Sequence, residues 1–301
     1  PYLDRIIAYT SVAPNVIALR VQKGELDGFA LAFEIATADI QQMRADPRYS
    51  SYVVSAPTTL VEWLELNAGD GPFNKLALRQ AVAMAINRTR LVQLFGGNAT
   101  PASQLYIPLD PQYDAALDQH PVYPYDPHKA AALVKASGYH GQPISLLYLA
   151  STPAQVAMAP GIQQMLKQIG LNVTTVRGLS NPALVALVQP PRGHQLDLLD
   201  WSVDYPDGYD IYAGVLNCSS NAAAVATGSH YCDTTADALV NRAQALPLGS
   251  DRDALLRQAQ VRILQAASKV PLLFVKNTDI VSPKVRGFYY NPLSGSHATC
   301  W

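Results

Sequence analysis

Residues 125–149, YDPHKAAALVKASGYHGQPISLLYL, decide the fold class because they contain a complete helix followed by a strand. Asp126 is a favourable N-cap, and Pro127 then stands at the first helical position, where its missing N–H costs nothing. Gly138 ends the helix, since glycine readily takes the left-handed conformation found after a C-cap. The apolar run Ile144–Leu149 predicts a strand. This segment is therefore one helix–strand unit.

The same alternation continues after this unit. Helices are predicted over residues 153–169 and 181–188, and strands over residues 171–177 and 195–201. Helices that alternate with strands are typical of an α/β layer in which most strands are parallel. Elsewhere the sequence predicts strands over residues 1–10, 26–33, 51–67 and 270–275, and helices over residues 15–24, 38–46, 74–97, 234–245 and 251–269. The further candidate N-caps are Asn15, Asn74, Asp233 and Ser250, and Pro271 predicts an edge strand or a strand start.

Length and composition bound the class of protein. The 301 residues are 49% hydrophobic and 15% charged, which is ample for a buried core and suggests about two domains. The net charge is -1 and no run of Lys or Arg occurs, so nucleic acid and anionic membranes are not favoured partners. No apolar run approaches the roughly 20 residues that a membrane-spanning helix needs.

Three cysteines bear on the compartment: Cys218, Cys232 and Cys300. The first two flank a loop rich in Ser, Asn, Ala and Gly, and their separation is wider than that of a typical zinc-ligand pair. This favours a disulfide in an oxidising compartment, with two unrelated thiols as the alternative.

Catalytic motifs are missing from the sequence. It has no G-x-S-x-G elbow, P-loop, dinucleotide fingerprint or H-E-x-x-H pair, and its six histidines are scattered. His194 and His230 are expected to be solvated loop residues. Asp204 and Asp207 resemble an acid/base pair, but no nucleophile accompanies them. We expect neither an enzyme nor a bound metal or cofactor. The basic residues Lys75, Arg79, Arg88 and Arg90 indicate a solvated face more than an anion site.

A possible ligand site follows the strand predicted over residues 195–201. The stretch WSVDYPDGYD, residues 201–210, combines aromatic side chains with carboxylates in a turn. Aromatic walls and a charge at the end of a strand suit a small polar ligand. Asp, Pro and Gly are also ordinary turn formers, so a surface turn remains the alternative.

Several stretches resemble one family, the substrate-binding proteins of bacterial ABC importers of the oligopeptide and dipeptide type, family 5. The segment YPYDPHKAAALVKASGY is similar to the family's YPYDPEKAKALLKEAGY almost position for position. The other matching stretches, in family order, are PYLDRI with ALRVQKGELDG, PFNKLALRQAVAMAINRTRLVQ, QQMLKQIGLNV, WSVDYPDGYD and VPLLFVKNTDIVSPKVRGF. Each match is weak alone, but the ordered set covers nearly the whole chain.

The resemblance implies a two-lobed, class II periplasmic-binding-protein-like α/β fold that closes on its ligand. It implies that residues 1–70 and 276–301 belong to lobe I, that residues 71–275 form lobe II, and that the hinge crossings lie at Asn67 and Val275. Family members are longer at the N-terminus, so lobe I is expected to be a remnant of a truncated chain that binds peptide weakly or not at all.

The resemblance also implies the site. The ligand-binding residues would be Trp201, Ser202, Asp204 and Tyr205, with Asp204 pairing with the α-amino group of a short peptide. Some members carry a disulfide just after this turn, which implies a Cys218–Cys232 bond. Asp200 is a departure, since many members have Gly there, and its charge puts the ligand class in doubt.

The function implied is capture of short peptides in the bacterial cell envelope, in the periplasm or outside the cell. The protein would deliver them to the permease subunits and would be membrane-associated through a lipid anchor upstream. Two alternatives remain open. The same fold binds oligosaccharides, nickel chelates or haem, for which Trp201, Tyr205, Tyr209 and Tyr212 would offer stacking surfaces. A cytoplasmic ligand-sensing lobe of a regulator would instead keep Cys218 and Cys232 as thiols.

Overall fold

The computed structural model describes residues 5, 7, 9, 12–28, 37–188, 194–219, 229–286, 288 and 290–292. Most of the strands predicted over residues 1–10 and 26–33, together with Cys300, lie outside these residues.

One mixed sheet organises the chain. Its six strands are β1 (Val53–Leu66), β2 (Ala99–Pro101), β3 (Ile144–Leu149), β4 (Val173–Leu179), β5 (Leu196–Ser202) and β6 (Lys269–Ile280), in the order β2-β6-β1-β5-β3-β4. β3 pairs in parallel with β4 and β5, as the alternating helices predicted. β1 pairs antiparallel with both β5 and β6, and β2 pairs antiparallel with β6. The prediction of parallel strands, made for the segment in which helices and strands alternate, is confirmed for β3, β4 and β5, whereas the antiparallel pairing of β1, β2 and β6 was not predicted.

Apart from the short helices Ala115–Gln119 and Gly208–Ile211, which were not predicted, the helices fall close to their predicted positions. They are α1 (Pro14–Gln22), α2 (Thr37–Ala45), α3 (Leu76–Ala85), α4 (Arg88–Leu94), α5 (Ala115–Gln119), α6 (Pro127–Ala136), α7 (Pro153–Gln168), α8 (Asn181–Val188), α9 (Gly208–Ile211), α10 (Thr234–Gln244) and α11 (Ser250–Ala266). The side chain of Asp126 accepts from the Lys129 N–H, and that of Asp233 caps α10, both as predicted.

Three of the predicted caps are wrong. The helical region over residues 74–97 divides at Asn87, whose side chain caps α4, while Asn74 lies in a short 3₁₀ turn before α3. Ala13 and Gly249 hold the N-cap positions of α1 and α11, where Asn15 and Ser250 were expected. α1 instead has Pro14 at its first helical position, where proline is favoured, and α11 follows Gly249.

The sheet separates two hydrophobic cores because side chains alternate along β1. Leu64 and Leu66 face the first core, which is closed by α3, α6 and α7. Val61 and Trp63 face the second core, which is closed by α10 and α11. Pro271 is the third residue of β6, a strand that lies between β1 and β2. The prediction of a strand start is thus confirmed there, and that of an edge strand is wrong.

A third, smaller core surrounds the other end of the β1–β6 pair. It joins Ile17 and Val21 of α1 to Ile40 and Met43 of α2 and to Ile280 of β6. The β1–β6 register shifts between Pro57 and Val61. At this break the Thr58 hydroxyl donates to the carbonyl oxygen of Val275 at 2.7 Å.

The two residues predicted to be hinges are both buried. Asn67 directly follows β1, and its amide donates to the carbonyl oxygen of His194 at 3.0 Å. Val275 lies within β6, at the register break. Hinge motion at these residues, and the division at residues 70 and 276, stay predictions.

Arg79 and Arg88 were predicted to belong to a solvated basic face, but their guanidinium groups instead donate to backbone carbonyl oxygens inside the protein. The Arg79 guanidinium is buried and donates to the carbonyl oxygens of Ala266 and Phe73, each at 2.8 Å. The Arg88 guanidinium donates to the carbonyl oxygens of Ala102 and Pro271, each at 2.8 Å. These arginines therefore join separate segments of the chain, since their N–H groups donate to backbone carbonyl oxygens.

A disulfide joins Cys218 and Cys232, as predicted, across a sequence separation of 14. Cross-linking restricts the unfolded chain, and a loop of this size is worth about 3 kcal/mol at most. We expect reduction to lower the free energy of unfolding by about 2–3 kcal/mol. Chemical unfolding with and without reductant measures this. A Cys218→Ser/Cys232→Ser variant is the control and should not respond to reductant, whereas an equal response of both proteins would contradict the expectation.

Candidate functional site

The candidate site lies where β5 ends. β3, β4 and β5 run in parallel, so their carboxyl ends share one edge of the sheet. In open α/β sheets this edge is where ligands bind. Trp201 and Ser202 are the last residues of β5, and Asp204 and Tyr205 lie in the turn that follows. The structure thus places the four predicted ligand-binding residues at the edge where a ligand is expected.

The exposure of these side chains differs along the turn. Ser202 and Asp204 are exposed, Tyr205 is 46% exposed, and Trp201 is half-buried. The Ser202 hydroxyl shares a hydrogen bond of 2.9 Å with the hydroxyl of Thr59 on β1, which fixes its position. Asp204 therefore offers a free carboxylate to solvent beside an anchored indole and an anchored hydroxyl.

Asp210 holds the turn in shape, a role that the sequence did not reveal. Its buried carboxylate accepts from the indole Nε1 of Trp201 at 3.1 Å and from the backbone N of Asp204 at 3.2 Å. Both bonds reach the same oxygen, Oδ2. The Asp210 carboxylate thereby fixes the position of the Trp201 indole relative to the backbone of Asp204. In the sequence, Asp210 stands out only as the third acidic residue of the segment 201–210, in the first turn of α9.

Asp207 holds the turn together through its side chain. Its side chain accepts from the backbone N of Tyr209 at 2.9 Å and so caps α9. Its two oxygens also accept from the Arg252 guanidinium at 2.6 and 3.0 Å. A carboxylate bound in this bidentate way is committed to the fold, so Asp204 and Asp207 do not form an acid/base pair.

Trp201 packs against a glycine. A Cβ built on Gly214 would lie 2.5 Å from the indole ring, far inside van der Waals contact. Gly214 belongs to a single turn of π-helix, Tyr212–Leu216, that follows α9. Tyr212 is 2% exposed and donates to Asp237, so it cannot stack on a ligand as the alternative function required. Trp201 and Tyr205 remain available for such contacts.

A buried carboxyl group lies near this turn. Asp110 accepts from the backbone N of Ile107 at 2.9 Å, and its second oxygen has no hydrogen-bond partner among the described residues. Burial raises the pKa of Asp110 to about 7, and the nearby charges of Asp207 and Asp210 act in the same direction. The ionised form is thus disfavoured in the folded protein.

This shift predicts a pH dependence of stability. Because the folded state binds the Asp110 proton more tightly than the unfolded state, its contribution is favourable below about pH 4 and is lost as pH rises through 7. Asp110→Asn should therefore stabilise the protein at pH 8 by roughly 1–4 kcal/mol, and this gain should shrink toward pH 4. Urea unfolding at both pH values measures it. The exposed Asp251→Asn is the control, and a pH-independent gain in Asp110→Asn would contradict the expectation.

Near the amino end of β5, away from the candidate site at its carboxyl end, a fully buried polar network crosses three strands. Glu65 of β1 accepts from the Trp63 indole at 2.6 Å and from the Lys269 ammonium at 2.5 Å. Its register partner Asp197 on β5 lies 2.8 Å from Nε2 of His194. His194 is 2% exposed, so the prediction of a solvated histidine is wrong. Burial lowers the pKa of His194, but the Asp197 carboxylate outweighs this and holds that pKa above its usual value.

The described residues offer neither a metal site nor a membrane span. They contain no group of three or more His, Cys, Asp or Glu side chains able to hold a metal ion. No helix within the same residues is both long and apolar enough to cross a membrane. A cavity of about 510 Å³ opens beside Asn87, Arg88 and Tyr125, but none of the predicted ligand-binding residues lines it.

A sheet of this topology, with an aromatic–carboxylate turn at the ends of its parallel strands, defines a lobe of a class II periplasmic-binding-protein-like fold. The sequence model for bacterial extracellular solute-binding proteins, family 5, middle part, matches residues 1–223. The chain belongs to this family.

Curated relatives agree with this assignment. The chain is 26% identical over 304 residues to di/tripeptide-binding protein 2 of Pseudomonas aeruginosa, covering 98% of the chain and 54% of the relative. It is 26% identical over 306 residues to heme-binding protein A of Haemophilus influenzae, covering 96% of the chain and 52% of the relative. The chain thus spans about half the length of the curated relatives it matches.

Solved structures share the fold. The periplasmic binding protein DppA of Helicobacter pylori, in complex with the peptide STSA, superposes with a TM-score of 0.74 at 24% identity, covering 91% of this chain and 52% of that one. NikA of Brucella suis, in complex with Fe(III)-EDTA, gives a TM-score of 0.77 at 19% identity, covering 94% and 58%. The predicted fold class is confirmed.

Proposed function

We propose that the protein captures short peptides outside the cytoplasm and delivers them to the permease of an ABC importer. The observation that carries this proposal is the exposed Asp204 carboxylate, held beside Trp201 by Asp210 at the carboxyl ends of parallel strands. Membership of a solute-binding family supports binding in place of catalysis. The di/tripeptide-binding relative supports peptides as the ligand class.

The chemistry of the turn suits a peptide with a free amino terminus. An ammonium group paired with Asp204 would form charge-assisted hydrogen bonds, which are roughly twice as strong as neutral ones. Trp201 and Tyr205 would flank the first residues of the ligand. Ser202 would lie beside Asp204, and water would fill the remaining space, so that different side chains are tolerated.

The proposal includes closure between two lobes. Residues 1–70 with 276–301 would belong to lobe I and residues 71–275 to lobe II, with hinge motion at Asn67 and Val275. The register break in β1 and β6 beside Val275 supports a flexible crossing there, because a bulge interrupts the ladder of hydrogen bonds. Closure would remove water from around Asp204 and strengthen its pairing with the ligand.

The same proposal places the protein in the bacterial cell envelope, associated with the membrane through the permease and a lipid anchor. The Cys218–Cys232 disulfide supports an oxidising compartment. The alternative of a cytoplasmic ligand-sensing lobe loses support from the same bond, since cytoplasmic proteins rarely keep disulfides.

A second ligand class has one observation in its favour. A relative of equal identity is a heme-binding protein, and Trp201 and Tyr205 leave aromatic surface free at the turn. A thermal-shift screen of the complete gene product against short peptides, haem, nickel chelates and oligosaccharides separates the classes. We expect peptides to raise the unfolding temperature. A shift with haem, a chelate or a sugar and none with any peptide would refute the peptide proposal.

A further inference from the structure

Two carboxylates face each other beside the candidate site. Glu62 of β1 and Asp200 of β5 are register partners, so their side chains leave the same face of the sheet. One amide group serves both: Nε2 of Gln155 donates to Glu62 at 3.1 Å and to Asp200 at 3.0 Å. The oxygen of this amide accepts from the backbone N of Leu149 at 2.8 Å, which fixes its orientation.

This arrangement leaves negative charge without a counterpart. Glu62 is 0% exposed, and its Oε1 has no hydrogen-bond partner among the described residues. None of the lysines, arginines and histidines in the described ranges forms an ion pair with Glu62 or Asp200. An unpaired buried carboxylate costs stability, and such a group persists when it has a use or neutralises by protonation.

Burial disfavours ionisation of this pair. Burial raises the pKa of Glu62 well above its ordinary value, and the charge of Asp200 adds to this. Burial also raises the pKa of Asp200. A cation beside Asp200 would lower the pKa of both carboxyl groups, so binding of a cation and ionisation of the pair would be coupled.

The position of the pair connects it to the ligand turn. Asp200 is half-buried and directly precedes Trp201 at the carboxyl end of β5. Gln155 lies in the first turn of α7, which begins just after β3 at the same edge of the sheet. Asp200 thus reaches solvent beside the candidate site, and Glu62 lies behind it in the protein.

We propose that Asp200, backed by Glu62, forms a second acidic subsite that binds a cationic side chain of the ligand and makes the protein selective for short peptides containing Lys or Arg. This inference rests on the proposed peptide-binding function and concerns the same edge of the sheet, where the side chains of Asp200 and Trp201 leave opposite faces of β5. A guanidinium or ammonium group would pair with Asp200 while Gln155 keeps its bond to Glu62. Asp204 would hold the amino terminus and Asp200 the side-chain charge.

The test compares matched peptides by calorimetric titration of the complete gene product. Lys-Ala and Ala-Lys are each compared with versions in which norleucine or Nε-acetyl-lysine replaces lysine, so that length is kept and charge is removed. We expect at least one lysine peptide to bind roughly tenfold or more tightly than its uncharged versions. In Asp200→Asn this ratio should fall to about 1–2, and Glu62→Gln should lower it less. Asp251→Asn, on a helix packed against the opposite face of the sheet, should keep the ratio.

Each outcome is decisive. Equal affinity for charged and uncharged peptides in the unaltered protein would overturn the second subsite and leave the peptide-binding function standing. An unchanged ratio in Asp200→Asn would do the same. Failure of the unaltered protein to bind any peptide would refute both proposals. The comparison within the unaltered protein stands even if a variant does not fold.

Discussion

Asp204→Ala should weaken the binding of a short peptide by about 2–5 kcal/mol, the range for removing one partner of a desolvated charge pair. Asp204 is exposed in the structure, and its backbone N is bonded to Asp210, so the carboxylate itself is free for a ligand. Its removal would leave the ligand ammonium inside a closed cleft without a partner. Calorimetric titration of the complete gene product and the variant measures the difference.

Two controls make this result specific. Asp204→Ala removes an exposed side chain that no described hydrogen bond requires, so the unfolding temperature should change little. Asp251→Ala removes a surface carboxylate from the first turn of α11 and should leave peptide affinity unchanged. Equal peptide affinity of Asp204→Ala and the unaltered protein would remove Asp204 from the site.

Lys269→Met should destabilise the fold by about 3–5 kcal/mol, because it strands a buried carboxylate. Lys269 is 1% exposed and Glu65 is 0% exposed, and their charged groups lie 2.5 Å apart. Methionine fills much of the same volume, so the loss would come from charge and not from a cavity. Urea unfolding at neutral pH, with the Cys218–Cys232 bond intact, measures the effect.

The matched control is the double variant Glu65→Gln/Lys269→Met. Glutamine keeps an oxygen that accepts from the Trp63 indole while removing the stranded charge. The double variant should recover a large part of the lost stability. A loss of less than about 1 kcal/mol in Lys269→Met would show that the pair is not energetically important.

Local signals in the sequence predicted local structure well. α6 begins after Asp126 and ends before Gly138, whose φ of 70° requires a residue without a side chain. These features depend only on residues within one helix. The antiparallel pairing of β1 with β6 depends instead on segments about 200 residues apart. No local pattern carries that information, so the parallel strands β3, β4 and β5 were predicted and the antiparallel pairing of β1 with β6 was not.

At the candidate site, too, local features were predicted and features that depend on the folded chain were not. The resemblance made Trp201 and Asp204 candidates for the site because they lie in one short motif. It could not identify Asp210 as their support, or Glu62 as the partner of Asp200, because both relations require folded geometry. His194 was misjudged for the same reason, since its burial depends on strands that meet only in the fold.

The central claim is that the turn after β5 binds the free amino terminus of a peptide. It is tested most directly by titrating the complete gene product with a short peptide and with the same peptide acetylated at its α-amino group. We predict that the free peptide binds and that acetylation weakens binding roughly a hundredfold or more, since the ammonium partner of Asp204 is lost. Equal affinity for the two peptides, or binding of neither, would contradict the claim.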